Sequence, residues 1–380
     1  MPKLARAKIW RRNLRHPSLL VNFQSGEKNI GHQSLYTVQI GRGLAALLVL
    51  LYHANLIIGL EKYYGIRPAN IFMLGRVGVE YFFVLSGFVM VIAHWRDLSN
   101  STGSTSSLEF LWKRFRRLYP ILWVVLAPLV ILVTFAPNYS PAGGADFSDF
   151  LFALTIFPAR SLNYIEPLLV VEWTLRYEIA FYALFLIFLK NKTVFYCISG
   201  PLILLGLATI FGLTLTEINF WASPFFLLFF LGMVGAWAYK TDACRYRTTM
   251  LAAGLTLFAF CAVVAVSAGF SALLTFGFGV AGTLIITGAA LKEKTRPSAL
   301  TRGLVLLGDS SYSVYLVHYP FLSIFTKVAV NWISSPQLAF AAVSLLALLG
   351  GVLFHILIER PLLKKLPRNM PWTTRKWSRS

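Results

Sequence analysis

Two ionisable side chains within one apolar stretch are the first candidates for chemistry. Arg42 and His53 lie inside the apolar segment 36–60 and are eleven residues apart. Eleven residues are close to three turns of an α-helix, so both side chains would share one face, about 16 Å apart. An imidazole can serve as a base near neutral pH, and a guanidinium can grip a phosphate. A satisfied pair inside a helical bundle is the structural alternative, and the shared face favours function.

A carboxylate in a later apolar segment needs a partner on another helix. Glu178 lies within W-T-L-R-Y-E, two residues after Arg176. Residues i and i+2 do not face each other on a helix, so Arg176 is not its predicted partner. Arg42 or His53 would serve, and the carboxylate would then orient the imidazole or neutralise the arginine.

A basic and aromatic segment, W-K-R-F-R-R-L-Y-P, occupies residues 112–120. We expect it to form a cytoplasmic loop at the membrane surface. Its arginines, Arg114, Arg116 and Arg117, have two interpretations, which are anchoring to lipid headgroups and docking of an anionic cytosolic ligand.

The second apolar segment, 71–93, carries charged and small residues. Arg76 and Glu80 are spaced i,i+4 and are predicted to pair with each other as a structural contact. Ser86 and Gly87 lack the flanking glycines of a nucleophile elbow. Small residues that let helices approach closely explain them better.

The ninth apolar segment is too polar to face lipid. Its residues 307–320 read L-G-D-S-S-Y-S-V-Y-L-V-H-Y-P, and four side chains are predicted to line a cavity or the bundle interior: Asp309, Tyr312, Tyr315 and His318. On one straight helix Asp309 and His318 would point about 180° apart, so we expect them to serve different contacts.

These side chains are carried by segments that need lipid as their solvent. Hydrophobic residues make up 57% of the 380 residues and charged residues 13%, against about 25% charged in soluble domains. Ten apolar segments are long enough to cross a bilayer, so the predicted fold is an all-α integral membrane bundle of about ten helices. Their limits are 36–60, 71–93, 118–136, 166–189, 194–213, 220–239, 249–268, 271–291, 304–331 and 337–358. A shorter apolar piece at 147–158 is expected to lie in the interface or to re-enter.

Basic residues predict the orientation. With a cytoplasmic N-terminus, the inside segments hold 28 Lys and Arg and the outside loops hold three, which places both termini in the cytoplasm. The predicted organisation is a basic N-terminal segment, 1–35, a transmembrane domain, 36–362, and a basic tail, 363–380. The net charge of +20 therefore reflects loop asymmetry, and no nucleic acid is an expected partner. The three cysteines form no C-x-x-C pair, so no metal site is predicted.

The order of these motifs resembles the membrane acyltransferase 3 family. The Arg42–His53 stripe, the G-V-E-Y-F-F-V-L-S-G-F block, R-F-R-R-L-Y-P, W-T-L-R-Y-E and Y-S-V-Y-L-V-H-Y-P occur in the family's order over about residues 37–362. Thr174 stands where the family usually has Ser. The chain is similar to the short form, the exopolysaccharide production and saccharide O-acetyltransferase type.

The resemblance implies transfer of an acyl group, most often acetyl from acetyl-CoA, onto a hydroxyl of a cell-surface saccharide. It implies Arg42, His53 and Glu178 as catalytic residues, carries over His318 as well, and implies Arg114 and Arg117 as the donor-binding element. The implied partners are acyl-CoA, a saccharide or lipid-linked glycan, and membrane lipids, with no bound cofactor. The implied location is the bacterial cytoplasmic (inner) membrane.

A general base is needed because a sugar hydroxyl is a poor nucleophile at neutral pH. We expect His53 to be that base, with direct transfer and a transient acyl-imidazole both open. The competing interpretation is a saccharide or lipid-linked-sugar transporter, since charges within a multi-span bundle are also typical of carriers. Inverted repeats would favour a transporter, and the sequence shows none.

Overall fold

The computed structural model describes residues 36–99, 106–135, 153–156, 169–213, 220–241, 246–290 and 299–370. Within these ranges the chain is helical and contains no strand, so the predicted all-α class is confirmed. The N-terminal segment 1–35 and the last ten residues lie outside the described ranges. So does most of the short apolar piece 147–158, of which 153–155 form a helical turn.

Thirteen α-helices follow one another along the described chain. In chain order they are α1 Tyr36–Ile58, α2 Val77–Ala93, α3 Trp95–Ser99, α4 Ser107–Phe135, α5 Trp173–Lys190, α6 Lys192–Ile210, α7 Phe225–Lys240, α8 Arg247–Ala268, α9 Ala272–Ala289, α10 Ala299–Asp309, α11 Ser311–Ala329, α12 Pro336–Phe354 and α13 Arg360–Lys365. Short 3₁₀ turns precede α2 and α5, and a π-helical turn, His355–Glu359, joins α12 to α13.

Seven helices of the described chain are long and apolar enough to cross a membrane, so the protein is a multi-pass membrane protein. They are α1, α4, α6, α8, α9, α2 with its preceding 3₁₀ turn, and α12 continued through α13. The other three predicted segments are also helical. Helix α7 is shorter, with 16 residues, α5 carries Arg176 and Glu178, and the ninth segment is polar and divided between α10 and α11.

Helices α2 and α7 approach very closely at two glycines. A Cβ added to Gly87 would lie 2.0 Å from the carbonyl oxygen of Phe229, and one added to Gly232 would lie 1.9 Å from that of Val84. Both distances are far below van der Waals contact, so only glycine allows this crossing. The interpretation of Gly87 as a packing residue is therefore confirmed.

Helix α1 packs along α11 in the same direction. Its N-terminal half contacts Ser311 through Arg42, and its C-terminal half contacts His318 through His53. Because the order of contacts is the same on both helices, α1 and α11 run parallel. Helix α10, which precedes α11, also packs tightly on the N-terminal part of α1, since a Cβ on Gly308 would lie 2.0 Å from the carbonyl oxygen of Gln39.

Two predicted elements are corrected by the structure. The basic segment 112–120 is not a loop, because α4 runs from Ser107 through it to Phe135. The ninth segment, 304–331, is not one straight helix, because it breaks at Ser310, where the hydroxyl bonds back to the carbonyl of Leu307. The predicted contact between Arg76 and Glu80 is confirmed, with Nε and Oε1 3.9 Å apart.

Candidate active site

A cavity of about 80 Å³ lies between five helices, α1, α2, α4, α5 and α11. Helix α2 contributes its apolar wall, including Phe82, Phe83 and Met90. The other four helices contribute mostly polar and charged side chains. An apolar wall facing charged groups lowers the local dielectric constant, which strengthens the electrostatic interactions of any ligand that binds between them.

Three guanidinium groups and one carboxylate line this cavity. Arg42, Arg114, Arg117 and Glu178 are the charged residues among its described lining, which gives a formal net charge of 3 − 1 = +2. The three arginines come from α1 and α4, and the glutamate comes from α5. The structure therefore places Arg42 in the same cavity as Glu178 and the Arg-x-x-Arg pair.

Each of the three arginines keeps donor groups without a hydrogen-bond partner among the described residues. Arg42 donates from Nε to the hydroxyl of Ser311 at 3.3 Å. The Nε of Arg114 is buried without an acceptor among the described residues. Arg117 forms no hydrogen bond with another residue of the described ranges, although it lies close enough to Glu178 and Tyr182 to interact electrostatically. Such groups can bind an anion without first breaking a protein contact.

Arg114 is held in place by a side chain that sequence reasoning did not single out. His94 donates from Nδ1 to Asp97 at 3.1 Å, and its Nε2 accepts from Nη2 of Arg114 at 3.4 Å. Burial lowers the pKa of His94, which favours the neutral ring whose Nε2 can accept. The guanidinium also lies 5.3 Å from the ring centres of both Phe110 and Tyr182, as in cation–π contacts.

Glu178 accepts a hydrogen bond from Tyr182, one turn further along α5. Arg42 also lies within electrostatic reach of this carboxylate. The spacing of Glu178 and Tyr182 is i,i+4, so the sequence contained a signal for this contact.

His53 lies away from this cavity. It is half-buried near the outer-facing end of α1, as oriented by the predicted topology, about 16 Å along the helix from Arg42. Its Nδ1 is 3.1 Å from Nε2 of His318, which is fully buried. The structure thus brings the two histidines together and separates both from the arginines.

Tyr315 lies between the arginine cavity and the pair formed by His53 and His318. Its ring lines the cavity, and its hydroxyl is 2.7 Å from the hydroxyl of Thr174, which also lines it. The same ring is 5.8 Å from that of His318. Phe82, another cavity residue, packs edge-on against Tyr315.

Two further predicted residues have different positions. Tyr312 lines the cavity and donates to the carbonyl of Leu118 at 2.7 Å. Asp309 ends α10 outside the cavity lining and accepts from Gln39 at 3.2 Å. Asp309 and His318 therefore serve different contacts, but they lie on two helices and not on opposite faces of one.

Sequence reasoning also missed hydroxyl groups of the cavity. Ser86 lines it, although the packing role belongs to its neighbour Gly87. Ser311, the partner of Arg42, was passed over inside the D-S-S run. A serine beside a glycine carries no signal of which way it points, because that depends on the neighbouring helix.

Comparison with known proteins identifies the family. A family model described as "Acyltransferase domain", of the acyltransferase 3 type, matches residues 35–356. "Exopolysaccharide production protein ExoZ" of Rhizobium meliloti is 31% identical over 322 residues, which cover 79% of this chain and 93% of that protein. "Acyltransferase MdmB" of Streptomyces mycarofaciens is 26% identical over 376 residues, which cover 88% and 92% of the two chains.

No solved structure matches the chain. The family match nevertheless spans most of the 380 residues, including every helix of the cavity. The chain is therefore an acyltransferase that belongs to the acyltransferase 3 family.

Proposed function

We propose that this protein moves an acyl group, most often acetyl, from cytoplasmic acyl-CoA to a hydroxyl of a cell-surface or exported saccharide. The observation that carries the proposal is the cavity in which three arginines, each with donor groups that have no described partner, face one carboxylate. The relative named for exopolysaccharide production supports a glycan acceptor, either free or lipid-linked.

The arginines suit the phosphates of the donor. Guanidinium groups bind phosphate oxygens through paired, charge-assisted hydrogen bonds. Arg114 and Arg117 come from the same helix, one turn apart, and Arg42 faces them from α1. Glu178 offsets one of the three charges and, through its proximity to Arg42, helps to orient that side chain.

His53 is the proposed base. In direct transfer it takes the proton of the saccharide hydroxyl while the oxygen bonds to the acyl carbon and the thioester C–S bond breaks. The coenzyme leaves as a thiolate and receives a proton, so the products are an ester and CoA. A transient acyl group on the imidazole gives the same overall balance. Either route requires the thioester to pass Tyr315, whose ring lines the cavity and lies 5.8 Å from that of His318.

The membrane arrangement is part of the proposal. Ten spans, with both termini in the cytoplasm of a bacterial inner membrane, would put Arg42 near the cytoplasmic face and His53 towards the outer face. This arrangement is supported by the distribution of Lys and Arg and by helices in all ten predicted segments. The donor would then enter from inside, and the acceptor hydroxyl would reach His53 from the other side.

Reporter fusions test this topology. A reporter that is active only in the cytoplasm should be active after residues 245 and 380 and silent after residues 140 and 334. Such a pattern follows from 28 basic residues in the inside segments and three in the outside loops. Activity at either outer position would contradict the ten-span arrangement.

Purified protein tests the reaction itself. In detergent or nanodiscs, we expect release of CoA thiol from acetyl-CoA that depends on added saccharide acceptor and yields an equal amount of acetylated product. Release of CoA without product would indicate only slow hydrolysis. Saccharide movement across proteoliposomes with no consumption of acetyl-CoA would overturn the proposal and support the transporter.

A further inference from the structure

The contact between the two histidines fixes which ring nitrogens carry protons. His53 on α1 and His318 on α11 approach with Nδ1 and Nε2 3.1 Å apart. Each ring also faces backbone carbonyl groups, which can only accept hydrogen bonds. The protons can therefore be assigned from the partners, beginning with the ring that has two carbonyl contacts.

His318 must carry its proton on Nδ1. That nitrogen lies 2.7 Å from the carbonyl oxygen of Tyr315 and 3.1 Å from that of Val314. Two acceptors leave no role for a lone pair at Nδ1, so Nδ1 donates. In the neutral ring Nε2 then has a lone pair, and it points at His53.

His53 is fixed in turn by the same reasoning. Its Nδ1 faces the carbonyl oxygen of Val49 at 3.0 Å and the lone pair of His318 at 3.1 Å. Nδ1 therefore donates, and the remaining nitrogen, Nε2, has the lone pair. Nε2 has no hydrogen-bond partner within the described ranges, and the residue is half-buried, not enclosed. It is available to an incoming hydroxyl.

We propose that His318 is a positioning residue for acyl transfer, holding His53 in the tautomer whose free Nε2 takes the acceptor proton. The inference rests on the proposed function. The carbonyls of Val314 and Tyr315 orient His318, which orients His53, much as a carboxylate orients the histidine of a hydrolytic triad. This neutral arrangement places no additional charge within the helical bundle.

The contact between the two histidines also stabilises the imidazolium form of His53 that arises when it accepts the hydroxyl proton. When His53 Nε2 takes the hydroxyl proton, Nδ1 becomes a stronger donor, and the lone pair of His318 receives a charge-assisted hydrogen bond. The edge of the Tyr319 ring packs on His53 with centres 5.5 Å apart, which limits rotation of the imidazole. His318 thus acts through His53 and touches neither acyl group nor acceptor.

Two variants separate this role from packing. His318→Gln keeps an acceptor oxygen near the position of Nε2, whereas His318→Met keeps the length and removes it. We expect His318→Met to lower kcat by about ten- to a hundredfold, as expected for loss of one hydrogen-bond partner. KM for acetyl-CoA should stay unchanged, and His318→Gln should recover most of the rate. Equal turnover per folded molecule in wild type and His318→Met would overturn the inference.

The tautomer of His53 can also be measured directly, without an activity assay. In ¹⁵N-histidine-labelled protein, the ring nitrogen shifts distinguish protonated from bare nitrogens, and the His53 signals are those lost in His53→Gln. We expect Nδ1–H and a bare Nε2 in the wild type, and a larger share of the Nε2–H tautomer in His318→Met, where the carbonyl of Val49 is the remaining acceptor at Nδ1. A proton on Nε2 in the wild type would overturn the inference even if transfer is observed. Absence of transfer by the wild type would instead count against the proposed function.

Discussion

His53→Gln is expected to lose about 10²–10⁴-fold in acetyl transfer per folded molecule, the usual contribution of general-base catalysis. Glutamine has a similar size and keeps a hydrogen bond to its neighbours, but it cannot accept and release a proton. The side chain lies about 16 Å from Arg42 along α1 and outside the arginine cavity. Binding of acetyl-CoA should therefore survive, and the loss should appear in kcat.

A matched control comes from the preceding residue. Tyr52 packs edge-on against His53 and forms no hydrogen bond within the described ranges. Tyr52→Phe removes only a hydroxyl, so it should keep the wild-type rate and thermal stability. If His53 were only structural, His53→Gln would lower the yield of folded protein while the remaining molecules transferred acetyl normally. Turnover near that of the wild type would end the assignment of His53 as the base.

The sequence predicted the positions of the helices better than it predicted which side chains of different helices lie together. Each predicted apolar segment coincides with helical structure, because burial in lipid and helix length are local properties of the chain. The basic segment 112–120 was predicted to be a loop because charges usually end a span. Its arginines instead continue α4, which allows Arg114 and Arg117 to point into the bundle one turn apart.

Helical spacing correctly put Arg42 and His53 on one helix. It could not show that they belong to two separate sites, with Arg42 in the arginine cavity and His53 at the contact with His318. Spacing gives the direction of a side chain around its own axis and the distance along it. Which groups lie opposite depends on how α11 packs against α1, and on the break at Ser310 that separates α10 from α11. The same tertiary packing gives Glu178 its arginine neighbours, which sequence reasoning anticipated for Arg42 because an isolated buried carboxylate is costly.

The basic residues of α4 differ in whether they line the cavity, although they are chemically similar. Arg114 and Arg117 line the cavity, whereas Arg116 between them donates to the backbone carbonyl of Leu363 in α13. Lys113 pairs at the surface with Glu109 at 2.7 Å. Helix α4 therefore carries two kinds of basic residue, those that line the cavity and those that contact other parts of the protein, and this difference can be tested directly.

Replacement of Arg114 and Arg117 together by Ala is expected to raise KM for acetyl-CoA by about a hundredfold or more. Each arginine would lose a charge-assisted hydrogen bond to a donor phosphate, and each loss costs about tenfold or more in affinity. The double change to Lys should give an intermediate result, because the charge remains while the paired hydrogen-bond geometry is lost.

Lys113→Ala is the matched control for this double variant. It removes a positive charge from the same helix, but at an exposed surface pair outside the cavity, so KM for acetyl-CoA should stay at the wild-type value. Arginines that only anchor α4 to lipid headgroups would give another pattern, with less inserted protein and unchanged donor affinity. Direct binding of acetyl-CoA to purified, folded variants separates the two results. Wild-type affinity in the double Ala variant would rule out donor docking and leave Arg42 as the remaining guanidinium of the cavity.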